Sequence, residues 1–170
     1  LRGRAASLGF VWFAVSFGWY GLMLWFPEFF SRAKGRAEGA PSGDVYAENL
    51  MVALANLPGN VASAFAIDRL GRRVTLAGCM AAAAVAAAAF AAAPGANAPV
   101  AAACAFNALS VGGWNALDAY SAESFPTTAR STAMGLLGAA GRLGSLAGTA
   151  TTGALTRGSE AAPLVVAAGA

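Results

Sequence analysis

Residues 57–85 read LPGNVASAFAIDRLGRRVTLAGCMAAAAV. An apolar run stops at DRLGRR, residues 68–73, where one acid and three arginines crowd together, and a second apolar run begins at once. Each run extends to the roughly 20 residues that a helix needs to cross hydrocarbon. The charged turn between them is too short to hold a domain. The reading is a helical hairpin that enters and leaves a bilayer, with its tip in headgroup water.

The rest of the chain repeats this pattern. Complete spans are expected at about residues 7–28, 47–67, 74–93, 98–121 and 131–155, and a sixth opens near Ala161 and runs to 170. No segment alternates with the period of two that a membrane barrel strand requires, so the fold class is all-α and polytopic. The composition agrees. Of 170 residues, 58% are hydrophobic and only 11% charged, with a mean hydropathy of +0.58, whereas a soluble domain carries about a quarter charged residues. The 74–93 run is mostly alanine, barely apolar by itself, and reads as a span only when packed among neighbours. A net charge of +3 from scattered arginines is too sparse for a nucleic-acid footprint. The chain has no histidine, which removes histidine triads, histidine proton shuttles and most zinc or iron sites. Cys79 and Cys104 lie in apolar segments without ligand spacing and read as small buried hydrophobes. Neither a Walker loop nor a dinucleotide-binding glycine pattern is present. No cofactor, no metal and no enzyme chemistry are expected.

Loop charge sets the orientation. Arg2, Arg4, Arg69, Arg72, Arg73 and Arg130 fall on one side, and Arg32, Lys34, Arg36 and Arg157 on the other, a bias of 6 to 4. Counting basic residues alone, the Leu1 side and the DRLGRR turn are expected in the cytoplasm. Residues 31–48 then form an extracytoplasmic or lumenal loop. The chain opens on Leu1 and stops a few residues into the run PLVVAAGA, so it is expected to be part of a longer protein.

Two turn motifs carry the charges. In the first, Asp68, Arg69, Gly71, Arg72 and Arg73 make a tight reversal in which the acid faces a helix N-terminus and the arginines meet acids or lipid phosphates. In the second, ESFPTTAR at residues 123–130, Pro126 ends one helix and Thr127 or Thr128 caps the next. Glu123 and Arg130 lie on the same side as DRLGRR, so a charge network between the two turns is expected.

Together these motifs resemble the C-terminal half of the major facilitator superfamily, with its D-R-x-G-R-R turn and the sugar-porter-like E-x-x-P-x-x-x-R turn. WYGLMLWFPEFF, LPGNVASAFAIDRLGRR, GGWNALDAYSAESFPTTARSTAMG and AAPLVV resemble more specifically the synaptic vesicle glycoprotein 2 family and its transporter-like relatives. The resemblance implies helices 7 to 11 of a twelve-helix carrier plus the start of helix 12, facing an N-terminal six-helix half. Two departures stand out. Ala64 occupies the place of a leading glycine, and residues 31–48 are far shorter than the large lumenal domain of the synaptic vesicle glycoproteins.

A polar stripe marks the fourth span. At 100° per residue Asn107, Ser110, Trp114, Asp118 and Ser121 fall within an arc of about 80°. Asp118 near a helix end can simply reach headgroup water, but intramembrane acids usually face a cavity or a partner, and the cavity is the preferred reading. In the resembled family the matching aromatic and acid positions line the central cavity. Arg142, a guanidinium inside a glycine-rich span, needs water or an acid and is the candidate counter-ion of Asp118. Trp19 and Tyr20 sit at mid-depth in the first span, as cavity aromatics or as plain packing. Trp12 and Trp25 are nearer its ends and read as interfacial belt residues. Gly135, Gly138, Gly141, Gly144 and Gly148 suit close helix packing in the fifth span, Gly144 and Gly148 as a GxxxG. Pro58-Gly59 is expected to kink the second.

The function these features suggest is secondary active transport of a small organic solute by alternating access, coupled to a proton or another ion. The alternative is a carrier-like membrane protein with a regulatory or ligand-binding role. The membrane is either the plasma membrane or an intracellular vesicle membrane.

Overall fold

The computed structural model describes residues 2–24, 26, 43–92 and 98–156, and among these no strand occurs. In the described residues six helices follow one another: α1 Arg2–Met23, α2 Gly43–Leu54, α3 Asn56–Leu70, α4 Arg72–Ala92, α5 Ala98–Glu123 and α6 Thr127–Thr156. The expected boundaries shift. The first helix starts earlier, at Arg2, and residues 43–48, read above as loop, already belong to α2. Trp25, residues 27–42 and the sixth span fall outside the described residues.

The second span is two helices rather than one. α2 and α3 meet at Ala55, one turn before Pro58. The physical cause is Pro58, which has no N–H for the carbonyl of Leu54 and whose ring crowds that carbonyl. The break was expected at Pro58-Gly59, but proline acts one turn upstream, where the lost acceptor lies. At the other end Gly71 takes φ 84 and ψ 160 and still donates its N–H to the Ile67 carbonyl at 3.1 Å. A side chain disfavours that positive φ, so glycine lets α3 turn directly into α4 with no linker. The start of α5 tolerates Pro99 because first-turn N–H groups have no intrahelical partner anyway. α6 begins at Thr127, so the threonines sit in its first turn rather than in a cap before it.

Among the described residues, four apolar stretches have the length and composition to cross a membrane: Gly3–Met23, Tyr46–Leu70, Arg72–Phe90 and Ala98–Glu123. The second is the broken α2–α3 pair. α6 is longer still, at 30 residues, but its glycine, serine and threonine content leaves it outside that set. Large apolar side chains such as Phe10, Val61, Phe65, Val85, Leu143 and Leu146 project outward, as expected of a surface solvated by lipid tails.

Packing runs in two seams. α4 lies along α5, where Ala83, Ala86, Ala87 and Ala103 are buried and bring the two backbones close. The alanine-rich run, ambiguous by hydropathy, is thus a packing surface. Phe26, Phe90 and Phe106 close one end of this seam, with ring centroids 5.2 and 5.9 Å from Phe26. α6 lies along α1 in the second seam. A Cβ at Gly144 or Gly148 would run into the backbone of Phe13 or Phe17 respectively, so only glycine permits this approach. Leu8, Leu117, Phe125 and Leu137 join the two seams.

Candidate functional site

α5 stands in the middle of the bundle, and its circumference shows what each neighbour covers. Toward α1, the Trp12 indole donates from Nε1 to Ser121 Oγ at 2.9 Å and meets Trp114 edge-on, centroids 5.6 Å apart at 71°. Toward α3, Gly59 backs onto the Ala108 backbone, and Asn115 Nδ2 donates to Asn60 Oδ1 and Ser63 Oγ, both at 2.8 Å. Toward α4, Gly112 and Gly113 face Cys79 and Met80. At 100° per residue Asp118 falls between the α1 and α3 contacts, and it is exposed. Trp12, read above as an interfacial belt residue, is half-buried and ties α1 to α5.

The polar stripe divides by depth. Asn107, Ser110 and Ser121 are buried, Trp114 is half-buried, and Asp118 is open. Asn107, fully buried at 0% exposure, donates from Nδ2 to the Val52 carbonyl at 2.7 Å. It braces the last turn of α2 before the break instead of facing an open cavity, and a periodicity argument cannot separate the two roles. Trp19 and Tyr20 meet at right angles, centroids 4.7 Å apart, and Trp19 packs against the aromatic end of the α4–α5 seam.

Arg142 does not meet Asp118. Two helices joined by a three-residue turn were expected to lie side by side, but α6 packs along α1 and barely touches α5. Arg142 is exposed on α6, and among the described residues neither it nor Asp118 has an ion-pair partner.

At the end of the bundle carrying the DRLGRR turn, Arg72 donates from Nε to Glu123 Oε1 at 3.0 Å, with Nη2 2.9 Å from the same oxygen. Arg73 donates from Nε and Nη2 to the Tyr120 hydroxyl at 3.1 and 2.7 Å. The antiparallel course of α4 and α5 produces both contacts, because it sets the first residues of one helix beside the last turn of the other. Tyr120 was not singled out from the sequence, although its position one turn before Glu123 was a signal for it. Of the expected charge network, Arg72, Arg73 and Glu123 are engaged. Asp68, Arg69 and Arg130 are exposed and have no ion-pair partner among the described residues. Pro126 is exposed in the turn between α5 and α6, its carbonyl accepting from the Ala129 N–H at 3.0 Å. A cavity of about 570 Å³ opens beside this cluster, lined by Arg4, Ser7, Arg73, Tyr120 and Glu123 among others.

Long apolar helices, an outward apolar surface and glycine-mediated seams define a multi-pass, all-helical integral membrane protein. The pattern of the sugar (and other) transporter family matches residues 8–169, and the chain belongs to that family, within the major facilitator superfamily. It is 31% identical to the niacin transporter NiaP of Acinetobacter baylyi over 144 residues, 85% of this chain and 32% of that protein. With the putative niacin/nicotinamide transporter NiaP of Bacillus subtilis it shares 31% identity over 148 residues, 87% of this chain and 36% of that protein. With synaptic vesicle glycoprotein 2A of Rattus norvegicus it shares 34% identity over 136 residues, 80% of this chain and 18% of that protein. The chain thus spans about a third of the length of the niacin transporters it matches and less than a fifth of the vesicle glycoprotein.

Proposed function

We propose that this chain forms the C-terminal half of a secondary active carrier that moves a small organic solute by alternating access. The observation that carries the reading is the placement of Asp118. It is exposed on α5, between the faces that contact α1 and α3, with half-buried Trp114 one turn away and no ion-pair partner among the described residues. A carboxylate is costly in hydrocarbon, so that open side is read as an aqueous cavity facing an N-terminal half. There the acid meets a solute, a coupling proton or another ion. Tyr20 and Trp19 belong to the same proposed site, whereas Ser110 is buried, like Asn107. Niacin, the cargo named for the Acinetobacter relative, and nicotinamide, named with it for the Bacillus relative, are the first solutes to assay. Full-length protein in proteoliposomes should accumulate solute with an imposed proton gradient and equilibrate it without one. Binding with no uptake under either condition would instead favour the regulatory or ligand-binding reading.

We also propose that the Leu1 side and the 66–73 turn are cytoplasmic, and that Arg72 and Glu123 hold a gate there with Asp68, Arg69, Gly71, Arg73, Pro126 and Arg130. In the carrier, Asp68, Arg69 and Arg130 would find their partners on the N-terminal half. The Arg72–Glu123 pair is 39% and 55% exposed, so it should contribute less than about 1 kcal/mol to stability. Its effect belongs to the transport cycle. Glu123→Arg is expected to slow uptake with little loss of thermal stability, and adding Arg72→Glu to restore part of the rate. Failure of the double variant to exceed the single one would show that the two residues act separately.

A further inference from the structure

Asn115 lies one turn before Asp118 on α5, and a chain of hydrogen bonds fixes its orientation. Asn60 donates from Nδ2 to the Asn56 carbonyl at 3.0 Å, which leaves its Oδ1 as the acceptor side. Ser63 gives its hydroxyl proton to the Asn60 carbonyl at 2.8 Å, so its Oγ is an acceptor too. Asn115 Nδ2 donates to both, at 2.8 Å each, and both of its N–H bonds are then used. Turning the amide over would set Asn115 Oδ1 against two acceptors, so the network itself selects the orientation. What remains of the Asn115 amide is Oδ1. It is not among the buried unpartnered atoms, and among the described residues no donor reaches it.

We propose that Asn115 is a specificity residue whose Oδ1 is a fixed acceptor, admitting solutes that carry an amide or amine N–H on a ring and disfavouring those that carry a carboxylate there. This rests on reading the open face of α5 as the solute site. The contrast with Asp118 gives Asn115 its distinct role. Asp118 can become a donor by taking a proton, whereas Asn115 cannot, because α3 holds both of its N–H groups. A carboxylate would meet Oδ1 acceptor to acceptor with no compensating bond. An N–H group supplies the missing donor, and Trp114 offers a surface for the ring. Nicotinamide and niacin share one ring and differ at this single group, as do benzamide and benzoate.

The test uses full-length protein in proteoliposomes, with these two pairs as competing ligands. In the parent, each amide should compete about tenfold better than its carboxylate, the discrimination typical of one hydrogen bond made against one left unmet. Asn115→Leu should bring each ratio close to one, and Ser63→Ala, which frees one N–H, should narrow it partly. Equal or better competition by the carboxylates in the parent overturns the proposal, whatever the variants do, and so does failure of all four compounds to bind. A ratio unchanged in folded Asn115→Leu overturns the role of Asn115 alone, provided Asp118→Asn is inactive. If Asp118→Asn also behaves as the parent, the open-face reading falls with it.

Discussion

Gly144→Leu is expected to yield no assembled protein, and Gly148→Leu the same. Both glycines lie where α6 crosses α1, against the backbones of Phe13 and Phe17. A leucine there cannot be accommodated by a rotamer change, because the obstacle is main chain and not the tip of a side chain. The helices must separate, at a cost on the order of 3 kcal/mol or more from overpacking and lost contacts together. Gly135→Leu and Gly138→Leu on the same helix are the controls, since nothing lies within 4 Å of a Cβ at either position. Size-exclusion profiles and thermal unfolding in detergent should show a monodisperse control pair and an aggregated test pair. Monodisperse Gly144→Leu with parental melting would mean that α6 does not pack on α1 as described.

The second large effect concerns transport. Asp118→Asn keeps the shape of the side chain and removes both its charge and its ability to cycle a proton. If Asp118 serves the proposed cavity, uptake should fall about 100-fold, as when a charged partner of a desolvated group is lost. Folding should be unaffected, because Asp118 is exposed and bonds to nothing among the described residues. Exchange measured without a proton gradient then separates two mechanisms. Proton coupling predicts residual, gradient-independent exchange in the variant, whereas direct solute binding predicts loss of exchange as well. Parental uptake by Asp118→Asn across about pH 5 to 8 would reduce the acid to a headgroup anchor.

Much of this architecture follows from sequence alone. Hydrophobic length and the absence of strand periodicity are local properties, so the helical, bilayer-spanning class could be read from residues 57–85 outward. DRLGRR located a tight reversal because glycine at Gly71 answers a backbone demand that neighbouring residues already define. The glycine pattern at Gly144 and Gly148 announced a close seam, since small residues at that spacing have little other use in a membrane helix.

The partner in each seam was not legible. Chain order suggested that α5 would lie against α6 and that Arg142 would answer Asp118. Tertiary packing instead laid α6 on α1, because its glycines match the backbone there, and so parted the two charges. The stripe on α5 was legible by angle but not by depth. Only the neighbours decide that Asn107 is sealed against the Val52 carbonyl while Asp118 stays open. Trp12 likewise became an interhelical donor through Ser121, 109 residues away. Periodicity tells which residues share a face of a helix, and only the helices packed around it decide which part of that face is covered.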